Sequence, residues 1–173
     1  MIELRPVDSE NVWDIIELSV RDDQEGFVAS NTESILEAYT ATVEGDTALP
    51  FGLWRQDAYI GFVMFGYGAT DDEDEPEVAA GNYCLWRFMI DQRYQGRGLG
   101  REAAKACLDY LRTKPCGPAE AVWLSYEPDN AGAKRLYESL GFTENGEMCG
   151  DEVVAVLELD DIPRLVQERN ESL

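Results

Sequence analysis

Hydrophobic and polar positions change period repeatedly along the 173-residue chain, and each change marks an element. A short strand is expected over Ile2–Arg5, followed by a helix that Asp8 or Ser9 caps and that runs to about Val20. Ser30 and Glu33 fit a capping box for a second helix ending near Val43. Leu49–Arg55 and Tyr59–Tyr67 form a hairpin around Gln56-Asp57. Tyr83–Asp91 is a strand rich in apolar and aromatic residues.

Past this strand the period becomes helical. Leu99, Ala103, Ala106, Cys107, Tyr110 and Leu111 share one face of a helix reaching about Arg112. Ala121–Tyr126 is the next strand. Asn130 caps a further helix, for which Gly141 is a left-handed stop. Glu144–Met148 and Val153–Leu159 form a last hairpin around Gly150-Asp151. The order β-α-α-β-β-β-α-β-α-β-β predicts an α/β (α+β) fold, a mixed sheet with helices packed on it. The chain is long enough for one domain with a substantial core, here taken as 1–173.

Charge sharpens this picture. Against 35 Asp and Glu the chain has only 14 Lys and Arg, a formal net charge of -21. Such acidity argues against nucleic acid as a partner and favours cationic small molecules. No apolar run is long enough for a membrane span, and the N-terminus lacks an apolar signal segment, so a cytoplasmic protein is expected. With no histidine, a Ser-His-Asp triad, a Cys-His pair and a His-based metal site are excluded. Cys84, Cys107, Cys116 and Cys149 make no CxxC pair and are expected to be buried free thiols; no metal is expected. The acidic run Asp71–Glu75 reads as a solvated loop that attracts cations.

Set against that acidity, "RFMIDQRYQGRGLGREAAKA" gathers Arg93, Arg97, Arg101 and Lys105 around Gly96, Gly98 and Gly100. The glycines stand between a strand and a helix whose first amides lack intrahelical partners. This is an anion site suited to a pyrophosphate. The spacing fits neither the G-x-G-x-x-G dinucleotide fingerprint nor a Walker loop. A tight turn would also use the glycines, but it leaves the repeated cations unexplained. In the second constellation, "LSYEPDNAGAKRLYESLGF", Tyr137 lies on the helix face of Asn130 and Ala133. It is read either as a half-buried core residue or as a hydroxyl aimed at the preceding loop.

These two stretches carry a resemblance. "RYQGRG" resembles the R/Q-x-x-G-x-G/A acetyl-CoA motif of the GNAT N-acetyltransferases, and "YEPDNAGAKRLYESLGF" their N-x-x-A-x-x-L-Y-x-x-x-G-F hallmark. More narrowly, "DQEGFVASNTESILEAY" and "GEMCGDEVVAVLEL" look like bacterial spermine/spermidine acetyltransferases. The resemblance implies a sheet of about seven strands splayed between the fourth and fifth, with about four helices. It implies pairing of the pantetheine arm with the backbone of Phe88, Met89 and Ile90. The pyrophosphate would rest on amides from Gln95 to Arg101, that is Gln95, Gly96, Arg97, Gly98, Leu99, Gly100 and Arg101. Asn130 and Ala133 would line the cofactor arm, and Tyr137 would protonate the departing thiolate.

The general base is open. Trp86 and Arg87 stand where many relatives carry a carboxylate, so Glu25 is the leading acidic candidate, as base or as amine-binding group. Glu152 in the last hairpin is the weaker acidic candidate, and Trp86 and Glu152 complete the expected acceptor wall. The implied activity is acetyl transfer from acetyl-CoA to a primary amine of a polyamine. Another amine (an aminoglycoside, an amino acid or a protein N-terminus) or a non-catalytic acyl-CoA or polyamine sensor are the alternatives. Family members are often homodimers, which leaves a homodimer as an open expectation.

Overall fold

The computed structural model describes residues 1–70 and 72–162. Seven strands form one sheet in the order β1-β2-β3-β4-β5-β7-β6. They are β1 (Glu3–Pro6), β2 (Thr47–Arg55), β3 (Ala58–Tyr67), β4 (Tyr83–Ile90), β5 (Ala121–Tyr126), β6 (Thr143–Cys149) and β7 (Glu152–Glu158). Only β4 and β5 run parallel. Helices α1 (Val12–Ile16) and α2 (Asn31–Glu44) pack on one face, and α3 (Leu99–Arg112) and α4 (Ala131–Glu138) on the other. No helix among the described residues is long and apolar enough to cross a membrane.

Local chemistry accounts for most boundaries. Gln56 and Asp57 both take positive φ, 48° and 67°, the geometry of a tight two-residue hairpin. The Ser30–Glu33 capping box opens α2, and Gly45 closes it at φ 94°. Helix α3 buries Leu99, Ala103, Ala104, Cys107, Leu108 and Leu111 against the sheet. Each large apolar side chain so buried contributes about 1.5–3 kcal/mol.

Helix α1 is far shorter than its sequence suggests. Asp8 does start the turn, accepting from the amides of Glu10 (2.8 Å) and Asn11 (3.1 Å), but the helix ends at Ile16 instead of near Val20. Tertiary bonds take the chain away. The Ile15 carbonyl accepts from Asn31 Nδ2 at 2.9 Å, and Ser19 bonds across to the end of β4. Its amide reaches Asp91 Oδ2 at 3.1 Å, and its carbonyl accepts from Gln92 N at 2.8 Å. Of the cysteines, only Cys107 is fully buried; Cys84, Cys116 and Cys149 are half-exposed, and all four are free.

Candidate active site

The sheet is open at its centre. The parallel pairing of β4 with β5 consists of Tyr83–Val122 and Cys84–Trp123 alone. Beyond Cys84 the β4 edge facing β5 has no strand partner, so its amides and carbonyls are free to pair with an extended ligand. On its other edge β4 pairs with β3 through a bulge: Met64 faces Arg87, Phe65 faces Leu85, and Trp86 is the extra residue. The bulge turns Trp86 and Arg87 to the same side. Trp86 packs with Ile15, Leu18 and Phe62, and Arg87 reaches Glu37 on α2 at 2.9 Å. A cleft of about 1690 Å³ runs through the opening and joins the two faces of the sheet.

On the α3/α4 side the cleft has the features of an anion and acyl-carrier site. Gly96 and Gly98 take φ of 74° and 76°, which side-chain-bearing residues rarely adopt, and nothing stands within 4 Å of where a Cβ would point. The Leu99, Gly100 and Arg101 amides form the open first turn of α3, at the positive end of its dipole. Gln95, Gly96 and Gly100 line the cleft, whereas the Leu99 side chain belongs to the core. Gln95 is fixed by its Nε2, which donates to the Ile90 carbonyl (2.9 Å) and to Gln24 Oε1 (2.8 Å).

The cations beside the loop do not act as one group. Arg93, read from sequence as part of the phosphate cluster, is tied to Asp91: its Nε donates to Oδ1 at 2.7 Å. Arg101 donates to the Ser139 carbonyl at the end of α4 (3.1 Å). Arg97 and Lys105 are exposed, with no ion-pair partner among the described residues. These two remain available to a phosphate.

Asn130 caps α4, its Oδ1 accepting from Ala133 N at 3.1 Å, and both residues border the cleft. Two turns on, Tyr137 is 9% exposed, stacked on Tyr126 (6.1 Å) and set edge-on to Phe142 (5.7 Å). Its hydroxyl has no hydrogen-bond partner among the described residues. Burial pushes this phenol well above its ordinary range, with a smaller contribution from the charges of Cys107 and Glu152. Tyr137 therefore stays protonated across the working pH range. Phe88, Met89 and Ile90 line the same passage from β4.

On the α1/α2 side the wall is acidic. Glu25, Glu33, Glu37, Glu44, Asp46, Asp72, Glu75 and Glu152 all border the cleft, and Arg87 is the only cation among its described lining residues. Glu33, Glu37 and Glu44 lie along one face of α2, a repeat visible in the sequence, where Glu33 alone is read, as part of the capping box. Glu25 is exposed at the end of a 3-10 turn (Asp22–Gln24) held at the glycine-loop end of β4 by the Gln24–Gln95 bond. Glu152 stands at the start of β7 beside the opening and accepts from the Ser125 hydroxyl. Of the run read as a solvated loop, Asp72 and Glu75 border the cleft, and Asp71 lies outside the described residues. Among the described residues, no three His, Cys, Asp or Glu side chains converge as a metal site.

Comparison with known proteins supplies the family. The acetyltransferase (GNAT) family pattern matches residues 12–142. The spermine/spermidine N(1)-acetyltransferase of Bacillus subtilis (strain 168) is 33% identical over 159 residues, covering 91% of this chain and 99% of that protein. A [ribosomal protein bS18]-alanine N-acetyltransferase of Salmonella typhimurium is 37% identical, but over only 39% of this chain and 44% of its own length. Among solved structures, aminoglycoside acetyltransferase AAC(6')-Ib in complex with coenzyme A and kanamycin superposes with a TM-score of 0.72 at 19% identity, over 91% of this chain and 95% of that one. That likeness is one of fold. With the family pattern spanning both hallmark stretches and a relative aligned over nearly the whole chain, this protein belongs to the GNAT family and is an acetyl-CoA-dependent N-acetyltransferase.

Proposed function

We propose that the acceptor is a polyamine of the spermidine or spermine type, acetylated at a primary amine. The acidic wall carries this reading: among the described residues, eight carboxylates border one cleft, and its one lining cation, Arg87, is already paired with Glu37. A long flexible polycation can meet several carboxylates at once, each exposed pair contributing about 0.2–1 kcal/mol. The end-to-end similarity to a spermine/spermidine acetyltransferase points the same way.

In this reading the donor enters from the α3/α4 side. Its pyrophosphate lies on the amides from Gln95 to Arg101, and its pantetheine arm pairs with β4 along Phe88, Met89 and Ile90. Asn130 and Ala133 border the arm, and the thioester stops beside Tyr137. Trp86 and the carboxylates, with Glu25 toward the outer end, guide the acceptor from the other side. The opening between β4 and β5 is where amine and thioester meet.

The amine must be neutral to attack, yet an alkylammonium near pKa ~10.4 leaves fewer than about one molecule in a thousand neutral at pH 7. A carboxylate at the opening removes that proton. Attack forms the C–N bond, and collapse of the tetrahedral intermediate breaks the C–S bond. The departing thiolate has an ordinary pKa near ~8.5, below that of the buried phenol. Tyr137 therefore cannot give up its proton outright. It relays: its O–H goes to sulfur while the surplus proton on the new amide nitrogen replaces it.

Release of free thiol from acetyl-CoA on adding spermidine, with mono-acetylspermidine as product, tests the reading. Tight binding of spermidine and acetyl-CoA without thiol release would make the protein a sensor.

A further inference from the structure

We propose that Glu152, held by the Ser125 hydroxyl, is the group that takes the proton from the acceptor ammonium. This rests on the cleft being an amine acetyltransferase site, not on which amine it takes.

Position is the first argument. The last β4–β5 pair is Cys84–Trp123, so Ser125, two residues on along β5, stands on the lip of the opening. Val153 of β7 pairs with Tyr126, which brings Glu152 alongside that lip, and Ser125 Oγ donates to its Oε2. Strand alternation puts Glu152 on the same face as Val154 and Val156. Those two pack with Trp123, Cys84 and Cys149, on the acceptor side of the sheet. Glu152 thus reaches the opening from the amine's side, and Tyr137 reaches it from the thioester's side.

The surroundings are the second argument. Charged and titratable neighbours of this corner come from every adjoining element: Asp72 and Glu75 from the β3–β4 loop, Cys84 and Arg87 from β4, Cys149 from β6 and Tyr137 from α4. Three carboxylates against one guanidinium, itself paired with Glu37, favour an ammonium there. Trp123, only 5% exposed, borders the same part of the cleft, and its indole N–H has no acceptor among the described residues. A buried donor left open calls for an acceptor in the cleft, a role for water or the thioester carbonyl and not for an ammonium, which only donates. Glu25 has neither feature: it is exposed and sits at the glycine-loop end of β4.

The step balances simply. The ammonium N–H bond breaks, its proton goes to the Glu152 carboxylate, and the electron pair stays on nitrogen to form the C–N bond. The carboxylic acid returns the proton to solvent after product leaves. Ser125 is a positioning residue, since it orients the carboxylate without touching the nitrogen's proton.

The test is kcat/KM for the best amine of a panel, read by thiol release from pH 6 to 10. Wild type, Glu152→Gln, Glu152→Asp and Ser125→Ala are compared, with acetyl-CoA affinity and melting of each as controls. Wild type should be flat over the middle of the range. Glu152→Gln should lose about 10²–10³-fold at pH 7 and rise with unit slope toward the amine's own pKa, so that its deficit falls below tenfold by pH 10. Glu152→Asp should recover part of the loss. Ser125→Ala should lower kcat about tenfold at pH 7 with KM little changed. A Glu152→Gln deficit that is constant with pH, or under threefold at pH 7, overturns the assignment. If Glu152→Gln does not fold, Ser125→Ala decides, and wild-type kcat in that variant overturns it. Absence of thiol release by wild type with every amine removes the amine reading itself.

Discussion

Cys84 and Trp123 are the last residues at which β4 and β5 remain paired. The shape of the cleft follows from that early parting. It bares one edge of β4, opens a passage through the sheet, and lets α4 and β7 present Tyr137 and Glu152 from opposite sides.

Tyr137→Phe should keep the packing against Tyr126 and Phe142 while deleting the hydroxyl proposed to relay the proton. The expected result is a kcat lower by about 10²–10⁴-fold with acetyl-CoA affinity within about twofold. Because burial raises this phenol, the acid form persists as pH rises, and wild-type kcat should show no falling limb from Tyr137 below pH 10. Pre-steady-state thiol release across pH checks both points.

Gly98 separates conformational strain from ligand exclusion. At φ 76°, alanine there costs about 1–2 kcal/mol of strain, whereas glutamate adds bulk and negative charge in open space above the amides. Gly98→Ala should weaken acetyl-CoA binding modestly. Gly98→Glu should weaken it at least tenfold further, by calorimetry. Equal affinities for the two variants would take the pyrophosphate off this loop.

Asp91 ties the acceptor wall to the glycine loop. Its carboxylate is 2% exposed and accepts from the Ser19 amide, the Arg93 amide and the Arg93 guanidinium. Burial alone would raise its pKa, but these hydrogen bonds outweigh burial and hold it below the ordinary carboxylate value. A depressed folded pKa contributes stability above the unfolded value near ~3.9, and that stability is lost as pH falls through the folded pKa. Asp91→Asn should cost about 1.5–3 kcal/mol at pH 7. The gap to wild type should narrow below about pH 4 in denaturant titrations.

Asp72 and Glu75 border the cleft from a loop, and in the proposed reading they act on approach more than on chemistry. Replacing both by amides should lower kcat/KM for spermidine at low ionic strength. The difference should shrink as salt rises, because the Debye length falls from ~30 Å at 0.01 M to ~8 Å at 0.15 M. A salt-independent loss would mean direct contact with bound amine.

The order of elements along the chain, the α2 capping box, the Gln56-Asp57 hairpin and the periodic face of α3 were legible because local chemistry alone decides them. What escaped depends on contacts distant in sequence. Helix α1 stops early because Asp91 and Asn31, 72 and 16 residues from their partners Ser19 and Ile15, capture its backbone. Arg93 was counted with the phosphate cations because nothing in "MIDQRYQG" reveals that Asp91 folds back onto it. The bulge at Trp86 leaves no mark in "YCLWRFMI", because it depends on the β3 register, so the turn of Arg87 toward Glu37 was invisible. The sequence pointed to Glu25 over Glu152 for want of the β5–β7 register that sets Glu152 beside Ser125.

Acetyl transfer to a polyamine is tested most directly by kcat/KM for thiol release with competing amines at equal concentration. The panel is spermidine, spermine, kanamycin, a free amino acid and a peptide with N-terminal alanine. Several exposed ion pairs acting together predict spermidine or spermine ahead of every other acceptor by at least tenfold. Kanamycin, the amino acid or the peptide at or above the polyamines would contradict it.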